Sequence, residues 1–328
     1  MNILEVRDLT THFFMQEAVA RAVENVSFEL RKGEMLGLAG ESGCGKTTTA
    51  LSIMKLLPPG GRILNGEIIV DDEDLVKKTD SEMNAIRWKK ISIVFQGAMN
   101  ALNPVIRVGD QVAEAITEKE NVTRQEALQR ARSLFELVGL DSSRVTDYPH
   151  EFSGGMRQRV MIAMALACNP SIIIADEPVT ALDVVVQARI LELIKELQTQ
   201  LDLSVILITH DLSVIAETCE RVAIMYAGRI VELGNVKDIY KDPWHPYTGA
   251  LITAFPSIAG PKRRFNSVPG DPPDLTSPPG GCRFHPRCPL KDETCQEHDP
   301  EYRNVGTDHY VACRHCEKFR EKILGERA

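Results

Sequence analysis

An octapeptide early in the chain has the residue types and spacing of a phosphate-binding loop. Residues 40–47 read Gly-Glu-Ser-Gly-Cys-Gly-Lys-Thr, which fits G-x-x-x-x-G-K-[ST]. The glycines let successive backbone N–H groups point inward, so the loop forms an anion site at the positive end of the following helix. Lys46 adds a charge that reaches the terminal phosphates, and the Thr47 hydroxyl can ligate Mg²⁺. The motif therefore predicts a nucleotide site rather than an ordinary glycine-rich turn.

Two adjacent carboxylates follow an apolar segment further along the chain. Residues 172–175 read Ile-Ile-Ile-Ala, and Asp176 and Glu177 come directly after them. The carboxyl ends of parallel strands form the edge at which ligands bind in such sheets. We therefore expect Asp176 to act at Mg²⁺ and Glu177 to polarise the attacking water as a general base. An Asp-Glu pair is a weak signal alone and a strong one in combination with the phosphate loop.

Five of the eight cysteines lie within 35 positions near the C-terminus, namely Cys282, Cys288, Cys295, Cys313 and Cys316. No secretory signal is visible at the start of the chain, so the cluster favours metal binding over disulfides. Four thiolates converging on one point suit a [4Fe–4S] cluster or Zn²⁺, and sulfur ligation alone does not distinguish the two. The C-x-x-C pair formed by Cys313 and Cys316 keeps the zinc interpretation open, with Cys316 replacing one of the others.

The elements that must position these residues alternate between strands and helices. Apolar runs at 35–39, 172–175 and 205–208 predict buried strands, and periodic segments at 47–57 and 185–201 predict helices. Further strands are expected at 3–9, 22–30 and 91–96, and helical structure is expected at 110–140. This alternation favours an α/β fold with a parallel sheet. Proline and glycine accumulate after about residue 255, which indicates a linker into the cysteine-bearing tail.

Composition excludes several classes of protein. The chain has 328 residues, of which 43% are hydrophobic, so it can form a large core and is not disordered as a whole. Its 38 basic and 46 acidic side chains give a net charge of −8. An acidic chain of this kind disfavours a nucleic-acid-binding protein, which needs a basic surface. The longest apolar runs are far shorter than the roughly 20 residues that span a bilayer.

A third motif identifies the superfamily. Residues 152–159 read Phe-Ser-Gly-Gly-Met-Arg-Gln-Arg, shortly before the acidic end of a predicted strand. Together with Lys46 and Asp176, this segment resembles the signature motif of ABC-type ATPases. Phe152 stands where that motif usually has leucine, and Met156 where it usually has glutamine, but the Ser-Gly-Gly is intact.

The resemblance covers roughly residues 3–250 and implies a domain organisation. The fold class is α/β, a P-loop NTPase fold with an ABC nucleotide-binding domain over residues 1–255. That domain would include a helical subdomain at about 97–160. A small cysteine-rich, metal-binding extension would follow at 256–328.

The resemblance also implies the catalytic residues. Gln96 matches the glutamine loop, which contacts Mg²⁺ and water, and His210 matches the switch histidine that contacts the γ-phosphate. With Glu177 as the base, these three are the predicted catalytic residues. Thr47, Gln96 and Asp176 are the predicted Mg²⁺ ligands.

The implied nucleotide contacts form a longer set that includes one aromatic side chain. Phe13 sits where the superfamily stacks an aromatic ring on adenine, with Phe14 as the alternative and core packing as the competing interpretation. Asp183 lies in the loop that crosses to a partner subunit. The remaining predicted ATP-binding residues are Gly40, Ser42, Gly43, Cys44, Gly45, Lys46, Thr47, Thr48, Gln96, Ser153, Gly154, Gly155 and Asp176.

Segments outside these motifs narrow the family. Residues 242–248 read Asp-Pro-Trp-His-Pro-Tyr-Thr, which resembles the HPYT segment of oligopeptide and dipeptide importer ATPases. Residues 102–104 (Leu-Asn-Pro) and 187–188 (Gln-Ala) also resemble this family. The residues of the signature segment resemble those of its D-type chain. The spacing of Cys282, Cys288, Cys295 and Cys313 matches a tail that can hold a [4Fe–4S] cluster in this family, so iron–sulfur is preferred to zinc.

The resemblance implies partners and a location. The partners would be a second, F-type ATPase chain in a heterodimer, two transmembrane permease subunits and, indirectly, an extracytoplasmic substrate-binding protein. The chain would be peripheral, at the cytoplasmic face of the membrane, and would power peptide import by ATP-driven closure and opening of the dimer. Nickel and oligosaccharide importers belong to the same family, so the cargo stays open. A soluble ABC ATPase and an iron–sulfur sensor remain as rival functions, and one cassette without heptads disfavours the first.

Overall fold

The computed structural model describes residues 1–97, 101–254 and 268–327, with side chains described up to residue 322, and it divides the chain into two compact units. Unit 1 comprises Met1–Ile3, Leu30–Met35 and Lys77–Ile208, and unit 2 comprises Leu4–Glu29, Leu36–Val76 and Thr209–Ala328. The predicted boundary at 255/256 lies outside the described residues, as does the first part of the predicted linker, up to residue 267.

Strands run through both units. They are β1 (Asn2–Phe14), β2 (Val19–Arg31), β3 (Met35–Ala39), β4 (Gly61–Val70), β5 (Glu73–Asp74), β6 (Ile91–Val94), β7 (Ile172–Asp176), β8 (Ser204–Thr209), β9 (Arg221–Tyr226), β10 (Arg229–Asn235), β11 (Tyr302–Gly306) and β12 (His309–Ala312).

The helices alternate with these strands over much of the chain. They are α1 (Lys46–Ile53), α2 (Asp80–Ile86), α3 (Val108–Lys119), α4 (Arg124–Leu137), α5 (Gly154–Ala165), α6 (Val184–Gln200), α7 (Leu212–Thr218), α8 (Val236–Lys241), α9 (Pro246–Ala254), α10 (Glu293–Glu297) and α11 (Cys316–Arg327). In the described part of the chain, no helix is both long enough and apolar enough to cross a membrane.

Unit 1 contains three parallel strands. β6 pairs with β7 and β7 pairs with β8, with Ile172 opposite both Ile91 and Ser204. Every residue of β7 and β8 is buried, which explains why the sequence shows continuous apolar runs there instead of alternation. The parallel α/β prediction is confirmed for these strands. β7 ends at Asp176, which places the predicted acidic pair at the carboxyl edge.

The helical part of unit 1 differs from its prediction in one respect. The segment 110–140 forms two helices, α3 and α4, which pack against each other and against α5. The Thr123 side chain accepts from the Glu126 N–H, and the Glu126 carboxylate accepts from the Thr123 N–H at 2.7 Å. This capping box starts α4 and thereby interrupts the helical run.

Unit 2 contains antiparallel strands that periodicity did not predict as such. β1 pairs with β4 in a four-stranded sheet of order β2-β1-β4-β5. In the second sheet β3 and β9 are parallel, and β10, β12 and β11 then continue it with antiparallel neighbours. Two strands of the C-terminal tail, β11 and β12, therefore extend the sheet that contains β3, the strand before the phosphate loop.

A fully buried carboxylate joins the tail to the body of unit 2. Glu232 on β10 accepts from the backbone N–H groups of Trp244 at 2.8 Å and His245 at 3.0 Å. Nε2 of His309, at the start of β12, lies 2.8 Å from the same carboxylate. A buried charge is tolerated when it is hydrogen-bonded in this way. Glu232 therefore fixes the start of α9 and the tail hairpin to one point.

Candidate active site

The phosphate loop lies between β3 and α1 in unit 2 and needs glycine where the backbone turns. Gly40 has φ +150° and Gly45 has φ +109°, a region that other residues rarely adopt. A Cβ at Gly40 would lie 2.2 Å from the Met225 carbonyl oxygen, and one at Gly45 would lie 2.4 Å from that of Ala22. Both glycines are therefore required by close backbone approach as well as by φ.

Lys46, the first residue of α1, folds back across this loop. Its Nζ donates to the carbonyl oxygens of Gly40 at 2.7 Å and Glu41 at 3.0 Å. The side chain is 6% exposed, so its position is set by the loop and not by solvent. The ammonium group is thus held within the loop by the loop's own carbonyl oxygens, where its positive charge can contribute to an anion site.

Cys44, Thr47 and Thr48 differ in their exposure to solvent. Cys44 is buried, and burial raises the pKa of its thiol, so it is a neutral packing residue. Cys44 is among the predicted ATP-binding residues, and this burial means that its side chain is not open to solvent in the loop. Thr47 is exposed and Thr48 is half-buried in the first turn of α1, where there is no acidic residue. Thr47 therefore places a hydroxyl oxygen, the kind of atom that Mg²⁺ takes as a ligand, at the start of α1 beside the phosphate loop.

Two of the predicted catalytic residues touch each other in unit 1. Gln96 Nε2 donates to Glu177 Oε2 at 2.7 Å, although 81 positions separate the two residues. The Thr180 hydroxyl donates to the same oxygen at 2.9 Å, and the Glu177 N–H donates to Ile208. Asp176, one residue earlier, is 1% exposed. The carboxylate of Glu177 is therefore oriented by two side chains, as a positioned general base must be.

The predicted strand 91–96 ended at Gln96, but in the structure β6 ends at Val94 and Gln96 follows it. The pairing of β6 with β7 stops at Val94, and Phe95 is 39% exposed. Gly97 then adopts φ +70°, a left-handed conformation that favours glycine. Gln96 therefore lies in a turn that follows the strand, and its side chain reaches Glu177 from there.

The signature segment lies at the start of α5. The Ser153 hydroxyl accepts from the Met156 N–H at 3.4 Å and thus caps the helix. A Cβ on Gly155 would lie 2.5 Å from Val186 Cγ1, so only glycine permits this approach to α6. Asp183 caps α6 by accepting from the Val186 N–H at 3.0 Å. The structure therefore brings the signature and the Asp183 loop together within unit 1.

The two departures from the signature motif are packing features. Phe152 is 3% exposed and meets the Phe135 ring edge-to-face at 6.4 Å. The Arg144 guanidinium lies 4.5 Å from the Phe152 ring centre, and its Nη1 is 3.4 Å from Met156 Sδ. Phe152 and Met156 thus both contact the Arg144 side chain. The exposed Ser153 between them still caps α5.

His210 and Phe13 belong to unit 2 and lie at separate places in it. His210 follows β8 and is exposed, and the next residue, Asp211, caps α7. Phe13 is half-buried near Gly61, where a Cβ would lie 2.8 Å from its ring. Phe14 is 40% exposed, with the Arg62 guanidinium 5.2 Å from its ring centre.

Four of the five tail cysteines line one small cavity in unit 2, namely Cys282, Cys288, Cys295 and Cys313. Burial, together with the neighbouring thiols of Cys288 and Cys295, raises the pKa of Cys282 to about 11. Burial likewise raises the pKa of the other three thiols. Cys316 does not line the cavity, and its Sγ contacts Arg303 and Glu317, each at 3.1 Å.

Family comparisons agree with this arrangement. Residues 23–180 match the family described as ABC transporter, and residues 231–295 match the oligopeptide/dipeptide transporter C-terminal region. The chain is 47% identical to a probable peptide ABC transporter ATP-binding protein of Sinorhizobium fredii, over 95% of this chain and 94% of that protein. The chain belongs to the ATP-binding subunits of ABC transporters. This family hydrolyses ATP.

Other relatives of this ABC ATPase are similar over most of their length. The oligopeptide transport ATP-binding protein OppD of Bacillus subtilis is 47% identical over 94% of this chain and 87% of that protein. An ATP-binding cassette solved as a dimer in a post-hydrolysis state with ADP and Pi is 30% identical, with a TM-score of 0.64. That match covers 71% of this chain and 98% of the solved one. The P-loop NTPase fold is thereby confirmed.

Sequence reasoning missed three polar side chains that contact the site of this ABC ATPase, namely those of Thr180, Tyr247 and Arg287. Thr180 donates to the Glu177 carboxylate. The Tyr247 hydroxyl accepts from the Glu41 N–H, and Arg287 donates to the Glu41 carboxylate. Thr180 has a local signal, because it lies three residues after Glu177 in the same turn. The other contacts span 206 and 246 positions and have no local signal.

Proposed function

We propose that this chain hydrolyses ATP to power the import of di- or oligopeptides. The observation that carries the proposal is the 47% identity to peptide transport ATP-binding proteins across nearly the whole chain. The match of residues 231–295 to the oligopeptide/dipeptide C-terminal region supports the same cargo class. The nickel and oligosaccharide alternatives have no comparable support in these relatives.

Each residue of the nucleotide site has a role in this proposal. The loop from Gly40 to Thr48 binds the phosphates of ATP through its N–H groups and Lys46. Thr47, Gln96 and Asp176 would hold Mg²⁺, which would supply positive charge at the phosphates. Glu177 accepts a proton from the attacking water, and the contact from Gln96 supports this role because it fixes the carboxylate.

Four further assignments follow from the resemblance to the family. Phe13 stacks on adenine, and His210 contacts the γ-phosphate. Ser153, Gly154 and Gly155 complete the site of a partner ATPase, and Asp183 lies in the loop that crosses to it. The cap at Ser153 leaves an exposed helix N-terminus, which suits contact with a phosphate.

We further propose that the partner ATPase is a different, F-type chain. Two permease subunits and an extracytoplasmic binding protein would complete the importer, and this chain would lie peripherally at the cytoplasmic face of the membrane. The similar cassette that was solved with ADP and Pi is a dimer, which supports paired ATPases in general. The residues of the signature segment resemble those of D-type chains, and this resemblance supports a heterodimer of two different ATPase chains.

Reconstitution tests the transport proposal. The chain is purified with the subunits that accompany it from solubilised membranes and is placed in proteoliposomes with the binding protein. We expect ATP-dependent accumulation of a labelled tripeptide, and none when Lys46→Ala is used. Uptake of nickel or an oligosaccharide without peptide uptake would contradict the cargo assignment. A chain that never accompanies membrane subunits would contradict transport itself.

We also propose that Cys282, Cys288, Cys295 and Cys313 hold a [4Fe–4S] cluster. Tetrahedral zinc at about 2.3 Å from each sulfur needs thiolates less than about 4 Å apart. Among the described residues, the group of three ligand atoms within 4.8 Å of one another is Asp292, Cys295 and His315, not three of the cysteines. The four thiols are therefore not gathered at the spacing that one tetrahedral zinc ion needs, and this supports a cluster over zinc. A cluster would cross-link chain segments that have little core of their own.

Metal analysis of cysteine variants tests this tail assignment. Cys282→Ser removes one cavity-lining thiol, so we expect anaerobically purified protein to lose most of its iron and acid-labile sulfide. The brown absorbance near 400 nm should fall with them. Cys316→Ser is the matched control and should retain both, because Cys316 lies outside the cavity. Zinc without iron in the wild type, or iron loss in Cys316→Ser alone, would contradict the proposed ligand set.

A further inference from the structure

The second residue of the phosphate loop is bound by a side chain from the cysteine-bearing tail. Arg287 Nη1 donates to Glu41 Oε2 at 2.6 Å, and Nη2 donates to Oε1 at 3.0 Å. This is a bidentate pair across 246 positions, with the arginine side chain 5% exposed and the glutamate side chain 24% exposed. Bidentate, poorly hydrated pairs fix geometry more strongly than exposed single contacts.

Arg287 is itself held in place by other groups of unit 2. Its Nε donates to the Pro269 carbonyl at 2.7 Å, and Nη2 also donates to that of Val268 at 3.2 Å. Nη1 lies 3.3 Å from the Tyr226 hydroxyl. Burial alone would lower the pKa of Arg287, but the hydrogen bonds to Glu41 and Tyr226 hold it above its ordinary value. The guanidinium is thus a fixed, charged anchor.

A second contact holds the backbone of the same loop residue. The Glu41 N–H donates to the Tyr247 hydroxyl at 3.0 Å. Tyr247 is fully buried, and its ring lies 5.4 Å from that of Phe284 and 4.6 Å from that of Tyr226. Phe284 lines the cysteine cavity, and Arg287 directly precedes the cavity residue Cys288. Residue 41 is therefore linked to the cavity wall along two routes.

We infer that Arg287 is a positioning residue for ATP binding, holding the phosphate loop through Glu41 so that the cysteine-bearing tail supports nucleotide affinity. The inference rests on the proposed function, because it takes ATP as the ligand of the loop. An anion site binds tightly when its N–H groups are fixed before the anion arrives, since ordering them during binding costs affinity. Cutting the anchor therefore weakens binding without removing any group that touches ATP.

A double-mutant cycle on full-length protein tests the anchor. The equilibrium dissociation constant for a fluorescent ATP analogue with Mg²⁺ is measured for Arg287→Gln, Glu41→Gln, the double variant and Arg287→Lys. We expect each Gln variant to bind about tenfold more weakly, and the double variant to be no worse than either single change. Arg287→Lys should recover part of the affinity. Arg320→Gln, which breaks a tail ion pair with Asp242, should stay within about twofold of wild type.

Alkylation of Cys44 gives a readout local to the loop. Cys44 is buried, so its rate of labelling, followed by mass spectrometry, reports how often the loop opens. We expect Arg287→Gln to raise this rate several-fold and Mg-ATP to suppress it. Cys168, buried in unit 1, should label at the wild-type rate unless the whole protein is destabilised.

The outcomes separate the inference from the proposed function. Unchanged ATP affinity in Glu41→Gln overturns the anchor even if Arg287→Gln fails to fold, because Glu41 is remote in sequence from the four cysteines of the tail cavity. A double variant whose loss equals the product of the single losses overturns it as well. If the wild type itself does not bind Mg-ATP, the proposed function fails instead. Iron content, measured on each variant, shows whether a loss of affinity follows loss of metal from the tail.

Discussion

Replacing Glu177 by glutamine is expected to lower the steady-state rate of ATP hydrolysis by about two to four orders of magnitude, the range of general-base catalysis. Glutamine has the same shape but cannot accept the proton of the attacking water. Glu177 is assigned to the water and not to the phosphates, so the affinity for Mg-ATP should stay within about threefold. Phosphate release and equilibrium binding, measured on the same preparation, check both statements.

The matched control for Glu177 is an exposed glutamate of the same unit. Glu196 lies on the solvent side of α6, and Glu196→Gln should hydrolyse ATP at the wild-type rate. Gln96→Ala removes the 2.7 Å contact to Glu177 and should give an intermediate loss. Wild-type turnover in Glu177→Gln would show that another group activates the water, and the role assigned to this carboxylate would be wrong.

Replacing Lys46 by alanine is expected to weaken Mg-ATP binding by about 10- to 100-fold, since a hydrogen bond to a charged group contributes roughly 1.5–3 kcal/mol. The ammonium group would no longer meet the terminal phosphates. The carbonyl oxygens of Gly40 and Glu41 would also lose their donor, which loosens the loop. Isothermal titration with ATP and Mg²⁺ measures the loss directly.

Lys237 provides the control for a lost positive charge. It is exposed on α8 in the same unit, so Lys237→Ala should bind Mg-ATP with wild-type affinity. The far-ultraviolet circular dichroism of Lys46→Ala should match that of the wild type, because only one side chain of α1 changes. An unchanged dissociation constant in folded Lys46→Ala would contradict the phosphate assignment of the loop.

Local pattern predicted the parallel strands β3, β6, β7 and β8, but it missed β9, which is parallel to β3, and the antiparallel strands β4 and β10. β7 and β8 are buried on both faces, so their apolar residues run continuously and mark them in the sequence. β4 is mostly half-exposed, and its pairing with β1 contains register shifts. A half-exposed strand and a pairing with register shifts do not produce a strict alternation of polar and apolar residues in the sequence. The tail strands β11 and β12 are short and follow a cysteine-rich segment, so nothing local indicated that they continue a sheet.

Motif spacing identified most of the nucleotide site because a loop around phosphate needs glycines, a lysine and a hydroxyl in fixed order. It could not show that Gln96 contacts Glu177, since that contact depends on where two distant turns meet. The cysteines show the same limit. A C-x-x-C pair suggested that Cys316 could be a ligand, but Cys316 begins α11, where its sulfur contacts Arg303 and lies outside the cavity.

The most direct test of the account compares the affinity of the wild-type protein for ATP and for AMP in the same magnesium buffer. If the loop of inward-facing N–H groups and Lys46 binds the triphosphate, ATP should bind at least about tenfold more tightly than AMP, and Lys46→Ala should remove most of that preference. Equal affinity for the two nucleotides, or no ATP binding by well-folded protein, would contradict it.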